Sequence, residues 1–176
     1  MVRHLLATRF AFRSHVERRQ TDVYDLVLAR RDRTLGPKAR RATVDCMPFH
    51  LDTRSRAQSP RDPSGREQCP VSDMTVADGE MLTQRFYGMT APHFASQLSS
   101  RVGRLVIDKT GLSGLYNFDV TWRRDDPEAS SDFAPLSDQR AVFIAALSQQ
   151  LGLRLEPARS MVESLVVDSI ERPTPN

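Results

Sequence analysis

The chain has 176 residues, a length that predicts one ordinary domain. Hydrophobic residues make up 39% and charged residues 27%, and this composition excludes both a disordered chain and a membrane-spanning one. The formal net charge is only +3, because 22 acidic residues offset most of the 25 basic ones. All but two of the basic residues are arginine. The arginines alternate with acids, as in RRDR (30–33), which favours a solvated surface over a nucleic-acid-binding face.

The N-terminus, MVRHLLATRFAFRSH, contains no signal peptide that the sequence reveals. It has neither the apolar stretch of about 7 to 15 residues nor the small-residue cleavage site that such a peptide needs. No apolar run reaches the roughly 18 to 20 residues that cross a bilayer. If Met1 is the true start, the sequence alone therefore predicts a cytoplasmic protein without a transmembrane segment.

The first unit is predicted from residues 1–31 as a short helix, an apolar strand, a polar turn and a longer apolar strand. The plan recurs near the C-terminus in LSQQLGLRLEPARSMVESLVVDSIERPT (147–174). There LRLEP (153–157) and MVESLVVDSI (161–170) are predicted to form a hairpin. The two segments together indicate an internal repeat.

Residues 32–78 are rich in Arg, Ser, Pro and Asp and show no periodicity, which predicts an irregular insert. Both cysteines, Cys46 and Cys69, lie in it. Their chemistry stays open between a disulfide, two free thiols and a metal site that would include His50. Neither cysteine belongs to a Cys-x-x-Cys pair, so no metal is predicted.

The second unit has the clearest helix signals. EMLTQRFY (80–87) predicts a strand that leads into a helix capped by Thr90 and ended by Gly103. RLVID (104–108) and LYNFDVTWR (115–123) then read as two strands joined by a turn. The predicted apolar positions are Phe94, Leu98 and Val102 on the helix, and Tyr116, Phe118, Val120 and Trp122 on the last strand.

A third helix is predicted from a cap at Ser137 or Asp138 to Gly152. The predicted fold class is therefore α+β, with repeated helix–strand–strand units that pack helices on an antiparallel or mixed sheet. Residues 79–176 hold the second and third units and are expected to form one compact domain with residues 1–31.

The turn DKTGLSG contains two patterns that occur in enzymes. Lys109-Thr110-Gly111 matches a β-lactam-pocket motif, but no Ser-x-x-Lys exists to supply the nucleophile. Asp108-Lys109-Thr110-Gly111 matches a phosphoryl-accepting aspartate, but no later lysine or magnesium-binding loop accompanies it. We therefore predict a structural turn of Asp108, Lys109, Thr110, Gly111 and Gly114, in which the glycines allow positive φ.

No catalytic residue and no cofactor is predicted. The four histidines, His4, His15, His50 and His93, form neither His-Glu-x-x-His nor a visible Ser/His/Asp set.

The run MTAPHFASQLSSRVGRLVIDKTGLSGLYNFDVTW (89–122), with QQLGLRLEPAR (149–159) and VESLVVDSIERPTPN (162–176), resembles the "soil-associated protein" family of uncharacterised exported bacterial proteins. The opening helix and strands look similar too, so the resemblance covers most of the chain outside 32–78. It implies an exported protein with a signal peptide and a further N-terminal portion, of which this chain is a truncated or mis-started copy. It also implies a periplasmic or extracellular location, favours a Cys46–Cys69 disulfide, and supplies no catalytic residues. Similar domains occur joined to membrane sensor-type metallopeptidases.

Together these observations favour a non-enzymatic, envelope-associated domain that binds a protein or another ligand, with exposed strand edges available for strand addition. One alternative is a hydrolase or transferase with an unrecognised site. The other is nucleic-acid binding through the arginine-rich segment 30–66, which the dispersed charge disfavours.

Overall fold

A computed structural model of the chain describes residues 2–47, 59–61, 63, 65, 68–69, 73–77, 80–123 and 136–173. Within these residues, three helices and seven strands form an α+β fold with two sheets. The predicted α+β class is confirmed. The helices are α1 (Val2–Phe10), α2 (Ala91–Val102) and α3 (Leu136–Ala146), and a π-helical turn at Leu147–Leu151 continues the last. The strands are β1 (Arg13–Leu28), β2 (Ala39–Arg41), β3 (Asp73–Ala77), β4 (Met81–Met89), β5 (Val106–Asp108), β6 (Tyr116–Arg123) and β7 (Leu153–Ser169).

The first sheet has the order β5-β1-β7, and β5 runs parallel to β1 with Val106 opposite Tyr24. The second sheet has the order β2-β6-β4-β3 and is antiparallel throughout. Phe118 of β6 lies opposite Phe86 of β4 and Ala39 of β2. The first sheet is thus mixed and the second is antiparallel.

The chain divides into two compact units. Unit 1 comprises residues 1–22 and 158–176, and unit 2 comprises residues 23–157. Strands β1 and β7 each contribute residues to both units, because they continue past residues 22 and 157.

The core of unit 2 is aromatic. Phe94 of α2 stacks on Phe118 at 4.1 Å between ring centroids, and Phe86 meets Phe94 edge-on at 5.0 Å. Trp122 meets Phe143 of α3 edge-on at 4.9 Å, so α2 and α3 both pack on β6. The apolar face predicted for β6 is confirmed, since its alternate residues from Tyr116 to Trp122 are all buried.

Helix α2 follows its local signals. The Thr90 hydroxyl accepts a hydrogen bond from the His93 backbone N–H at 3.4 Å, and Gly103 ends the helix in the left-handed conformation. Its buried face includes Phe94, Leu98 and Val102, as predicted.

Helix α3 begins at Leu136, one or two residues before the predicted cap. The side chains of Ser137 and Asp138 lie outside the described part of the structure. The π-helical turn buries Leu147 and Leu151 before the chain reaches Gly152.

The two predicted turns inside the first and third units are wrong, because β1 and β7 are each a single strand of 16 and 17 residues. The polar stretches RRQT (18–21) and ARS (158–160) lie within these strands, and their residues are exposed or half-buried. A strand pair with no completely buried face in this part does not need apolar alternation, so polar residues there do not signal a turn.

Two short strands, β2 and β3, lie in the stretch 32–78 where no strand was predicted. Only three and five residues long, they are too short for a period-2 pattern to appear in the sequence.

Candidate functional site

The predicted turn residues lie together between β5 and β6. One carboxylate oxygen of Asp108 accepts hydrogen bonds from the backbone N–H of Thr110 at 2.9 Å and from its hydroxyl at 2.7 Å. The Thr110 hydroxyl oxygen in turn accepts from the Leu112 backbone N–H at 3.1 Å. Thr110 is 1% exposed, so the polar atoms of this turn are directed at its own backbone.

Two arginines that the sequence did not associate with the turn hold it from outside. Arg33 donates to the carbonyl oxygen of Thr110 at 3.2 Å, and Arg41 donates to that of Ser113 at 3.1 Å. The Arg41 guanidinium also lies 5.2 Å from the centre of the Tyr116 ring. These contacts join the start of the 32–78 stretch to the turn.

Gly111 and Gly114 adopt φ values of +70° and +91°, which side chains rarely allow. A Cβ at position 114 would also lie 2.8 Å from the Arg41 guanidinium. Lys109 is exposed, and its backbone N–H donates to the Leu26 carbonyl oxygen at 2.9 Å. The geometry supports a structural connection rather than a reaction centre.

The two cysteines form a disulfide, with Cα atoms 5.2 Å apart. Both are almost completely buried, and the Cys46 backbone N–H donates to the Gly88 carbonyl oxygen at 3.0 Å. The bond therefore anchors two points of the 32–78 stretch beside β4. His50, the third residue of the zinc alternative, lies outside the described residues. Where side chains are described, no group of three or more His, Cys, Asp or Glu could hold a metal ion.

His15 of β1 contacts Asp168 of β7, with 2.8 Å between Nδ1 and the carboxylate oxygen. Both side chains are about half exposed. Ser14 precedes His15 on an extended strand and therefore points to the opposite face, so these three side chains do not assemble into a triad.

Unit 1 carries an exposed apolar surface that sequence reasoning missed. The cross-strand ion pairs Arg18–Glu163 and Asp22–Arg159 show which residues of β1 and β7 share a face. By the strand period of two, that face also presents Val16, Met161, Leu165 and Val167, which are 52–60% exposed. We call these four residues the apolar face of unit 1.

A shallow groove of about 420 Å³ adjoins this surface. Val16 and Leu165 line it together with Phe12, Ala7 of α1 and the His15–Asp168 pair. It is open to solvent rather than enclosed, as expected for a contact surface and not for a small-molecule pocket.

The outer edge of β7 is the second feature of unit 1. β7 ends the order β5-β1-β7, and no other described strand pairs with its outer edge. Within unit 1, β7 extends over residues 158–169. The sequence analysis predicted a hairpin here and therefore missed this long edge. In the structure, exposed and half-buried residues alternate along residues 161–167, as in a continuous strand.

The fold and these features define a disulfide-bonded α+β protein with an exposed strand pair. A family model described as "Protein of unknown function (DUF3738)" matches residues 1–170, so the chain belongs to that family. Searches of the curated proteins and of the solved structures returned no match. None of the helices that the structure describes has the length and apolar character needed to cross a membrane.

Proposed function

We propose that this protein is a non-enzymatic, envelope-associated module that binds a partner protein through the apolar face of unit 1. The observation that carries the proposal is the concentration of exposed apolar side chains. Six of the nine large hydrophobic residues that are exposed in the described structure belong to unit 1: Leu5, Val16, Met161, Leu165, Val167 and Ile170. Contiguous exposed apolar surface marks interaction sites.

Charged residues are interleaved with the apolar residues of this face. The Arg18–Glu163 and Asp22–Arg159 ion pairs lie on the same face, and all four side chains are more than half exposed. Protein interfaces combine apolar contacts with charged and polar groups. Such exposed pairs contribute little to stability, so their value lies in selecting a complementary partner.

Two further points support an exported location. The Cys46–Cys69 disulfide requires an oxidising environment to persist. The resemblance to exported soil-associated proteins gives the same direction, so we place the protein in the periplasm or outside the cell.

The alternatives have less support. Arg33 and Arg41, at the start of the arginine-rich segment, donate to backbone carbonyls, and Arg40 is paired with Asp119. These guanidinium groups are occupied within unit 2, which disfavours a phosphate-binding surface built on them. No contact among the described residues favours a hydrolase or transferase.

Site-specific photo-crosslinking in an envelope fraction tests the proposal. A photoreactive side chain is placed at Leu165 or Val167 on the apolar face, and at Thr21 as a matched exposed control on the same strand pair. We expect a discrete adduct from the first two positions only, and its yield should fall in Met161→Ser. Equal adducts at all three positions, or none at the apolar face, would reject the proposal.

A further inference from the structure

We infer that the partner of this surface is a second copy of the same chain, added antiparallel along the outer edge of β7 with a two-fold axis at Ser164. The inference rests on the proposed function, because it names the partner of that same site. The two copies would then form a four-stranded arrangement in the order β1-β7-β7-β1.

The edge has the length and shape that strand addition needs. In unit 1, β7 contributes residues 158–169, and no described strand occupies its outer side. An unpaired strand edge presents a row of N–H and C=O groups that another strand can complete. No glycine interrupts this stretch, and its sole proline neighbour, Pro157, lies outside it.

Pairing about Ser164 creates two kinds of apolar cross-strand pair. Residues equally distant from Ser164 lie directly opposite one another in such a pair. Met161 then lies opposite Val167 of the second copy, and Val162 lies opposite Val166 of the second copy. Each match occurs twice because of the two-fold axis, and each apolar cross-strand pair favours the contact.

The charges also fit this register. Arg159 lies opposite Ser169, Glu163 opposite Leu165, and Asp168 opposite Ser160, so no charged residue meets a like charge directly. Moving the axis by one residue toward the N-terminus would place Glu163 opposite Glu163 of the second copy, which is unfavourable.

Registers centred on the middle of the outer edge of β1 in unit 1 lack this property. An axis at Glu17 or at Arg18 sets each of these residues against itself. An axis at Val16 sets Arg13 against Arg19. These three registers at the middle of β1 in unit 1 therefore oppose like charges, whereas the register of β7 at Ser164 opposes none. An axis at Gln20 opposes no like charges, but β5 pairs with β1 from Tyr24 to Leu26 and limits that register. The longer free edge therefore assigns the contact to β7.

The symmetric contact would also join the two apolar faces. An axis perpendicular to the sheet keeps equivalent faces on the same side, so Met161, Leu165 and Val167 of both copies lie on one face of the four-stranded sheet. Completing the strand edge and extending the sheet would make the strand pair more stable than it is alone.

A cysteine at the axis gives a direct test. In Ser164→Cys, the two introduced thiols lie opposite each other and should form an intermolecular disulfide under mild oxidation. The matched control is Ser160→Cys, which has the same burial and lies on the same face. In the proposed register its two copies lie about 27 Å apart along the strands, too far for a disulfide.

We expect about tenfold more covalent dimer from Ser164→Cys than from Ser160→Cys on a non-reducing gel. Equal yields from the two variants would overturn the two-fold pairing. Growth into long polymers would overturn it as well, because polymers require β7 of one copy to pair with a different surface of the next.

A charge-complementation measurement provides a second readout that folding defects do not mimic. Val162→Asp and Val166→Lys chains should each associate less than the original chain in sedimentation velocity, at about 10 µM to 1 mM. Mixing them should restore association, because the carboxylate introduced in one copy would then lie opposite the ammonium group introduced in the other. Failure of the mixture to associate more than either variant alone would contradict the register.

Failure of the self-association inference can be distinguished from failure of the proposed function. If the chain stays monomeric and Ser164→Cys does not crosslink, while the photoreactive side chain at Leu165 still captures a discrete protein, the self-association inference fails and the interaction module stands. If both experiments give nothing, both proposals fail.

Discussion

The same two strands behave differently in the two units. In unit 2, Val23 and Leu26 of β1 and Leu153 of β7 are completely buried. In unit 1, Val16 of β1 and Leu165 of β7 are more than half exposed. Apolar residues of the same two strands thus contribute to a core in one unit and remain at the surface in the other.

This difference indicates that unit 2 supplies most of the stability, whereas unit 1 supplies the surface that we propose for binding. Unit 2 combines aromatic packing, a disulfide and a pinned turn, and each of these should be costly to disturb. Unit 1 places apolar and charged side chains in water, where a change should alter binding more than folding. Mutations that compare the two units therefore test the division.

The largest effect is expected from the centre of the aromatic cluster. Phe94→Ala should lower the free energy of unfolding by about 3 to 5 kcal/mol, since Phe94 is fully buried between Phe86 and Phe118. The matched change in unit 1, Leu165→Ala, should cost only about 0.5 kcal/mol. Urea unfolding with matched m-values measures both, and equal losses would show that Leu165 belongs to a core.

Removal of the disulfide should rank second. The Cys46→Ala/Cys69→Ala double variant opens a loop with a sequence separation of 23 residues, which should destabilise unit 2 by about 3 kcal/mol. Reductant should produce a similar loss in the original chain and none in the double variant. Equal stability of the oxidised chain and the double variant would contradict an anchoring function for the bond.

The turn between β5 and β6 should give a smaller, position-dependent effect. Gly114→Ala should cost about 1 to 2 kcal/mol, because φ of +91° strains an alanine and its Cβ would displace Arg41. Lys109→Ala, five positions earlier in the same turn, should be within about 0.5 kcal/mol of the original chain, since Lys109 is exposed. A larger loss from Lys109→Ala than from Gly114→Ala would refute the structural interpretation of the turn.

The parts of the fold that could be predicted have local causes. Helix α2 was predicted with its cap Thr90 and end Gly103, because these signals lie within a few residues of the helix. The buried face of β6 followed from simple alternation. By contrast, β1 and β7 were divided into shorter strands, since their exposed halves contain the polar residues that elsewhere mark turns.

The candidate sites show the same limit. Asp108, Thr110, Gly111 and Gly114 were identified from their turn chemistry, but the two arginines that hold the turn come from more than 70 residues away. Likewise, the Gln150 side-chain amide bonds both the N–H and the carbonyl oxygen of Thr121. Such long-range pairs leave no periodic signal, so the sequence alone did not reveal them.

The smallest effect concerns pH and again belongs to unit 2. Burial holds the pKa of His93 below its usual value. The folded state therefore binds this proton more weakly than the unfolded state does. The stability linked to His93 is fully present above about pH 6.5, the ordinary value, and is lost as the pH falls through the lowered folded pKa.

Urea midpoints measured between about pH 7.5 and pH 5 should decrease with acidity, and His93→Gln should remove part of that decrease. An NMR titration of the His93 ring gives the folded pKa directly. A folded pKa equal to the ordinary one would remove the effect, and a higher one would reverse its sign, because His93 would then stabilise the protein at low pH. We expect the lowered pKa, so protonation of His93, which is half-buried near the start of α2 in unit 2, should destabilise the protein in acid.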